Sequence, residues 1–244
     1  GLAREAVGAV VERLFDVLGV HRVEASLDPR NHASARVVEE LGFEYEGTAV
    51  SAVLHRGEWT DDARYALTAE GHRAWQTRPV DRPHDVRLVE ITPDNRDAVL
   101  ALETHRSQRR FVAPMADSFA DALFPPVEDG VALVPWLRAI EADGELVGFL
   151  MIAEATAQQP VPYLWRFLID RRHQRRGIGG RALDALVDRL RAEGHRQLLV
   201  SWAPGAGGPE AFYLQRGFVP TGVVDEDEIE ARLELATAVT PGGG

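Results

Sequence analysis

Residues 163–194 constrain the fold of this 244-residue chain more than any other stretch. Tyr163 to Ile169 is a run of large, mostly apolar side chains that predicts a strand. Gln174-Arg175-Arg176-Gly177-Ile178-Gly179-Gly180 follows. Leu183, Leu186, Val187 and Leu190 then recur at three-four spacing, with Arg181, Asp184, Asp188 and Arg191 opposite, which predicts an amphipathic helix stopped by Gly194. Glycines between a strand and a helix let the backbone approach a ligand, and their N–H groups join the helix N-terminus in facing an anion. Arg175 and Arg176 add positive charge. Taken alone, a G-x-G-G turn reads more readily as a tight turn than as a phosphate loop. A dinucleotide-binding unit would need a further glycine and an acid about 20 residues on; Arg181-Ala182-Leu183 stand there instead.

The neighbouring segments set the order of elements. Residues 136–141 and 146–153 flank Asp143-Gly144, a strong hairpin signal. Residues 197–202 form a strand whose Leu198-Leu199-Val200 run suits a buried position. Helices are expected over 93–102 and near 117–124. The order is strand, helices, three strands, glycine loop, helix, strand, helix, strand, which makes a mixed sheet covered by helices: an α+β protein, or α/β sandwich.

Residues 76–85 (QTRPVDRPHD) hold two prolines and no apolar periodicity, and read as a linker. The two parts it separates, 1–75 and 86–235, share a pattern. The first opens with GLAREAVGAVVERLFDVLGVHR and reaches Gly42-Phe43; the second runs GIGGRALDALVDRLRAEGHR and reaches Gly217-Phe218. From Gly1 to Gly42 is 41 positions and from Gly177 to Gly217 is 40. Residues 236–244 read as a flexible tail.

With no cysteine, the chain has no disulfides, thiolate metal sites or thiol nucleophiles. No apolar run approaches the roughly 20 residues that span a bilayer, so a soluble, cytoplasmic protein without membrane partners is expected. The formal net charge of −11 argues against a nucleic-acid partner and suits a cationic small substrate, although acidity for solubility alone would look the same.

Gln174 to Gly179 resembles the Q/R-x-x-G-x-G/A signature of the GNAT N-acetyltransferase superfamily, and Tyr213 before Gly217-Phe218 resembles its Y-x-x-x-G-F element. The resemblance covers 86–235 and implies an acetyl-CoA-dependent transferase. It implies that Gln174, Arg175, Arg176, Gly177, Ile178, Gly179 and Gly180 bind the coenzyme A pyrophosphate. Phe167, Leu168 and Ile169 would pair with the pantetheine arm, and Tyr213 would protonate the leaving sulfur. Such a step contributes roughly 10²–10⁴-fold. A tyrosine between Phe212 and Leu214 also reads as a core residue. No metal is implied.

Closer similarity runs to bacterial diamine and polyamine N-acetyltransferases. It is carried by Gln108 through Pro114, Trp165 through Asp170, Ser201 through Tyr213, and Glu228-Ile229-Glu230. Met115 departs from the asparagine often found after the F-V-A-P run. The implied acceptor is a primary amine on a small polyamine-like molecule, with a peptide N-terminus or an amino-bearing antibiotic as alternatives, and a non-catalytic acetyl-CoA sensor as the reading outside enzymes. Glu103, Asp117, Glu154 and Glu228 are acids that could face a polyamine or stay solvated. An alkyl ammonium is deprotonated in only about one molecule in 2,500 at pH 7, so a base is required. Glu154, at a strand end, is the candidate; His105 and His173 are alternatives.

Residues 1–75 resemble the C-terminal half of ribosomal-protein N-terminal acetyltransferases, through Asn31-His32-Ala33-Ser34, Val37 to Phe43 and the hairpin around Arg56-Gly57. Val38 stands where a tyrosine would precede Gly42, and only Gly1-Leu2-Ala3 remains of a loop. This partial copy is expected to bind no acetyl-CoA. Val7, Val10, Val11 and Leu14 would form an apolar face needing cover from the second domain, from other residues or from a second copy in a homodimer.

Overall fold

The computed structural model describes residues 1–128 and 130–235. The expected flexible tail, 236–244, lies outside the described residues. The chain divides into two compact units. Gly1–Pro79 with His105–Ser107 make the first; Val80–Thr104 with the chain from Gln108 onward make the second.

In the first unit, α1 (Leu2–Glu12) runs into a π-turn (Arg13–Val17). It is followed by β1 (Arg22–Leu27), α2 (His32–Glu39), β2 (Glu44–His55), β3 (Glu58–Thr68) and α3 (Ala69–Thr77). Asn31 caps α2 by accepting from the Ser34 amide at 3.1 Å, and Thr68 caps α3 by accepting from Gly71 at 3.0 Å. The strands are antiparallel in the order β1-β3-β2, and Arg56-Gly57 turns β2 into β3 with φ of 50° and 88°. Val11 and Phe15 carry the buried stripe of the first helix, against Ala35, Val38, Phe43, Tyr65 and Leu67. The apolar face expected on this helix is therefore narrower: Val7 and Val10 are exposed and Leu14 is half-buried. The linker is shorter than expected as well, because Gln76 and Thr77 continue α3.

The second unit begins with β4 (Val86–Val89), α4 (Arg96–Leu100) and α5 (Met115–Leu123). A small pair follows, β5 (Val127–Glu128) and β6 (Val131–Ala132), and then β7 (Pro135–Ala142), β8 (Glu145–Ala153) and β9 (Tyr163–Ile169). The glycine loop leads into α6 (Ile178–Ala192), β10 (Gln197–Trp202), α7 (Glu210–Gln215), β11 (Val219–Asp225) and β12 (Glu228–Glu234). Seven strands form one mixed sheet in the order β11-β12-β10-β9-β8-β7-β4, parallel only between β9 and β10. The sheet ends in a hairpin where the sequence predicts a single strand. The helix expected over 93–102 shrinks to 96–100, because Asn95 accepts from the Thr92 amide and donates to the Glu90 carbonyl, closing a turn first.

Helices cover both faces. Leu183, Leu186, Val187 and Leu190 of α6 pack on Leu198, Val200 and Trp202; Val99 of α4 and Met115 of α5 pack on Phe149, Met151 and Leu168. Each fully buried Leu contributes about 1.5–3 kcal/mol. Strand β8, between these layers, is buried from Val147 to Ala153, which is why it reads as a continuous apolar run. Gly148 has no room for a side chain: a Cβ would lie 2.6 Å from the Leu168 carbonyl oxygen.

Two irregularities open this sheet. Strands β9 and β10 pair only at Leu199–Tyr163 and Val200–Leu164, then part. On the other edge, β9 pairs with β8 through Leu164–Ile152 and Arg166–Met151, leaving Trp165 as the extra residue of a bulge.

Candidate active site

The glycine loop starts where β9 ends. Asp170 accepts from the amides of Arg172 and Glu103, at 2.9 and 3.0 Å, pinning the chain as it leaves the strand. Gln174 donates to the Ile169 carbonyl at 3.0 Å and to Gln108 at 2.9 Å, so its amide shapes the loop. Arg175 and Gly177 are left-handed, with φ of 64° and 78°. Alternating handedness turns successive N–H groups toward one point, an anion nest, here at the N-terminus of a fifteen-residue helix. Gly177 is also the N-cap, without a side chain over the exposed amides. A left-handed Arg175 carries backbone strain.

This loop forms one wall of a cleft of about 660 Å³ in the second unit. The cleft occupies the opening between β9 and β10. Of the residues that the sequence nominates for the cofactor, Phe167, Leu168, Ile169, Gln174, Arg175, Gly177, Ile178, Gly179 and Gly180 all line it. Arg176 does not. Its guanidinium is buried, donating to the Asp81 carbonyl at 2.8 Å and to His173 Nδ1 at 2.9 Å. Arg181 likewise donates to the carbonyls of Pro83 and His84, so residues 81–84 brace the loop from behind. Since an arginine can only donate, His173 Nδ1 is the acceptor and its proton sits on Nε2, 3.5 Å from Glu145. Burial pushes the His173 pKa down, keeping the ring neutral.

Arg109, Arg110, Arg166 and Arg175 line the cleft with one carboxylate, Glu228, and Arg166 is itself paired with Asp121 at 2.8 Å. The local charge is opposite to the chain's −11, so the cleft favours an anionic ligand. Arg110 also donates to the Ala206 carbonyl at 2.7 Å, joining the 108–113 segment to the loop before α7.

Tyr213 projects from α7 into the cleft and is only 6% exposed. Its ring stacks on Trp202 at 5.5 Å and meets Phe212 and Phe218 edge-on, so it serves as core and cleft wall at once. Burial, reinforced by Tyr163 and Glu228, pushes its phenol above the usual value, so the hydroxyl keeps its proton at neutral pH. Across the cleft Tyr163, Ser201 and Glu228 form a polar chain: Tyr163 Oη lies 2.6 Å from Ser201 Oγ, and Ser201 donates to Glu228.

Glu154, the nominated base, is elsewhere. It accepts from Arg189 at 2.7 Å and does not line the cleft. Neither do Glu103 or Asp117, and His105 belongs to the first unit, edge-on to Trp75. Glu228 alone of the four nominated acids reaches the site, because β12 pairs with β10 and brings residues 27 apart in sequence side by side. Ser201 and Tyr163, which the sequence does not single out as site residues, also line the cleft; their period-two placement on one sheet face is the available signal. Among the described residues, no helix is long and apolar enough to cross a membrane, and no group of three or more His, Asp or Glu could hold a metal.

The acetyltransferase (GNAT) family model matches residues 97–218, half of the chain. The chain belongs to the GNAT family. A second model, an acetyltransferase (GNAT) domain, matches residues 1–44. Among curated GNAT relatives, the probable N-acetyltransferase YjcK of Bacillus subtilis is 46% identical over 67 residues, 28% of this chain and 37% of that protein. The [ribosomal protein uS5]-alanine N-acetyltransferase of Escherichia coli is 37% identical over 68 residues, 28% of this chain and 35% of its own. The chain thus spans between a third and two fifths of these relatives' lengths. The solved ribosomal-protein-S18-alanine N-acetyltransferase of Escherichia coli aligns with 66% of this chain and all of its own, at 17% identity and a TM-score of 0.45.

Proposed function

We propose that the second unit transfers an acetyl group from acetyl-CoA to a primary amine. The observation that carries this reading is the parting of β9 from β10, with an anion nest at one end and a tyrosine–serine–glutamate chain at the other. The N–H groups of the 174–180 loop, with Arg175, would take the pyrophosphate; the open edge of Phe167–Ile169 would hydrogen-bond the pantetheine amides. The bulge at Trp165 frees backbone near the carbonyl that gains charge during attack. Tyr213, kept protonated by burial, would give its proton to the departing thiolate.

For the acceptor, Glu228 offers a single negative charge and the arginines of the same cleft repel a second ammonium. That favours an amine carrying one positive charge near the reacting nitrogen, such as a peptide N-terminus or a small monoamine, over an extended polyamine. Thiol release should be measured with acetyl-CoA and three acceptors: n-propylamine, an Ala-initiated tetrapeptide and spermidine. One of the first two should turn over fastest. A clear preference for spermidine overturns the single-charge reading; acetyl-CoA binding with no turnover on any amine makes the unit a binding module.

A further inference from the structure

Glu228 lies on β12, two strands from β9, and β10 stands between them. The Glu228 carboxylate does not meet a β9 side chain directly: it accepts from Ser201 of β10, and Ser201 in turn is hydrogen-bonded to Tyr163 of β9. The intervening space is bridged by hydroxyls. Leu198, Val200 and Trp202 point into the α6 core, so Ser201 points to the opposite sheet face. There its one proton goes to Glu228, which leaves Tyr163 as the donor in the 2.6 Å hydrogen bond between their oxygens. The chain therefore has a direction, from β9 through β10 to β12.

Resting on the acetyl-transfer reading above, we propose that Tyr163 and Ser201 form a two-hydroxyl proton wire between the acceptor amine and Glu228. Tyr163 meets the ammonium, and Ser201 is a positioning and relay residue. One ammonium N–H bond breaks and its proton passes to Tyr163 Oη. Tyr163 gives its hydroxyl proton to Ser201 Oγ, and Ser201 gives its own to the Glu228 carboxylate. The amine is left with a lone pair, both hydroxyls are restored, and Glu228 ends as the neutral acid. No co-reactant is needed.

The first unit holds an instructive counterpart. Its β1–β3 pairing, Arg22–Thr68 through Leu27–Ala63, has the same register as Gln197–Glu234 through Trp202–Ile229. Ser26 occupies the place of Ser201 and donates to Asp62, which occupies the place of Glu228. That pair ties two strands together; the added hydroxyl of Tyr163 on a third strand is what extends such a pair into a wire. The ionisable groups sharing the cleft with Glu228 are Tyr163, Tyr213, His173 and the four arginines, and Asp225, Glu226 and Asp227 precede it on the hairpin.

The test is kcat/KM against pH from 6 to 10 for Ser201→Ala, Tyr163→Phe and Ser201→Thr in the full chain. It uses acetyl-CoA and the faster of n-propylamine and the Ala-initiated tetrapeptide. Ser201→Ala and Tyr163→Phe should each lose roughly 10²-fold at pH 7 and recover toward wild type as pH approaches the amine's own pKa, where no proton needs removing. Ser201→Thr, which keeps the hydroxyl, should restore most of the rate. Losses that are the same at every pH, or absent in a folded Ser201→Ala, overturn the wire while leaving acetyl transfer standing. A wild type that acetylates none of the amines overturns both.

Discussion

Replacing Tyr213 with Phe separates chemistry from packing at one side chain. The phenyl ring that stacks on Trp202 and meets Phe212 and Phe218 is unchanged, so the aromatic contacts, worth about 0.5–1.5 kcal/mol each beyond area burial, persist. Removing the hydroxyl costs at most one net hydrogen bond, about 0.5–1.5 kcal/mol. Tyr213→Ala would instead leave a cavity costing about 3–5 kcal/mol, a large part of the 5–15 kcal/mol that holds a typical domain. If Tyr213 protonates the thiolate, Tyr213→Phe lowers kcat by roughly 10²–10⁴, or about 3–5 kcal/mol of barrier. The variant should therefore melt near wild type, bind acetyl-CoA normally by calorimetry, and release thiol slowly. Because burial raises this phenol, the wild-type rate should not fall through loss of its proton until the pH passes about 10, the ordinary tyrosine value. A turnover within about threefold of wild type, under conditions where chemistry limits the rate, would refute the role and leave Tyr213 as packing alone.

Glu154→Gln should keep turnover within about threefold, since its carboxylate serves Arg189, whereas Glu228→Gln should lose roughly 10²-fold or more; steady-state thiol release compares them. Arg176→Ala should weaken acetyl-CoA binding without Arg176 touching the ligand, because it strips the donor from the Asp81 carbonyl and from His173. An unfolding loss of about 1–3 kcal/mol in denaturant titration should accompany it. His173 has a folded pKa below its unfolded value near 6.5, so its neutral form contributes stability above about pH 6.5 that is lost as pH falls; melting curves from pH 7.5 to 5 should show this decline, blunted in His173→Gln.

Much of the second unit was legible because its elements obey simple periods. Tyr163–Ile169 and Gln197–Trp202 are strands with the bounds expected, and α6 begins and ends at its glycines. The terminal hairpin was not legible. Val219–Asp225 is exposed throughout and interrupted by Pro220 and Gly222, and its turn places Glu226 and Asp227 at φ of 44° and 68° with no glycine to announce it. That hairpin also decides which of the nominated acids lines the cleft. Glu154 has the look of a strand-end acid but is held by Arg189, whereas Glu228, reached only through the β12–β10 pairing, accepts from Ser201. Arg176 misled for a related reason. A cation inside a glycine loop reads as a phosphate ligand, and its true partners are carbonyl and imidazole groups that sequence cannot bring to it. Net charge says nothing of where charges sit: −11 for the chain coexists with a cleft lined by four arginines.

The central claim is that the 174–180 loop holds the pyrophosphate of acetyl-CoA, and calorimetric titration of the Gly179→Glu variant tests it most directly. A Cβ at Gly179 meets Ile169, Phe212 and Phe167 at 3.6–3.7 Å, ordinary contact distances, so the backbone has room for a side chain and the fold should survive. What the substitution adds is a negatively charged side chain in the cleft, beside the loop amides that would hold the pyrophosphate. The account predicts saturable acetyl-CoA binding by the wild type and none by a variant that melts as wild type does. A folded Gly179→Glu protein that binds acetyl-CoA with undiminished affinity would contradict it.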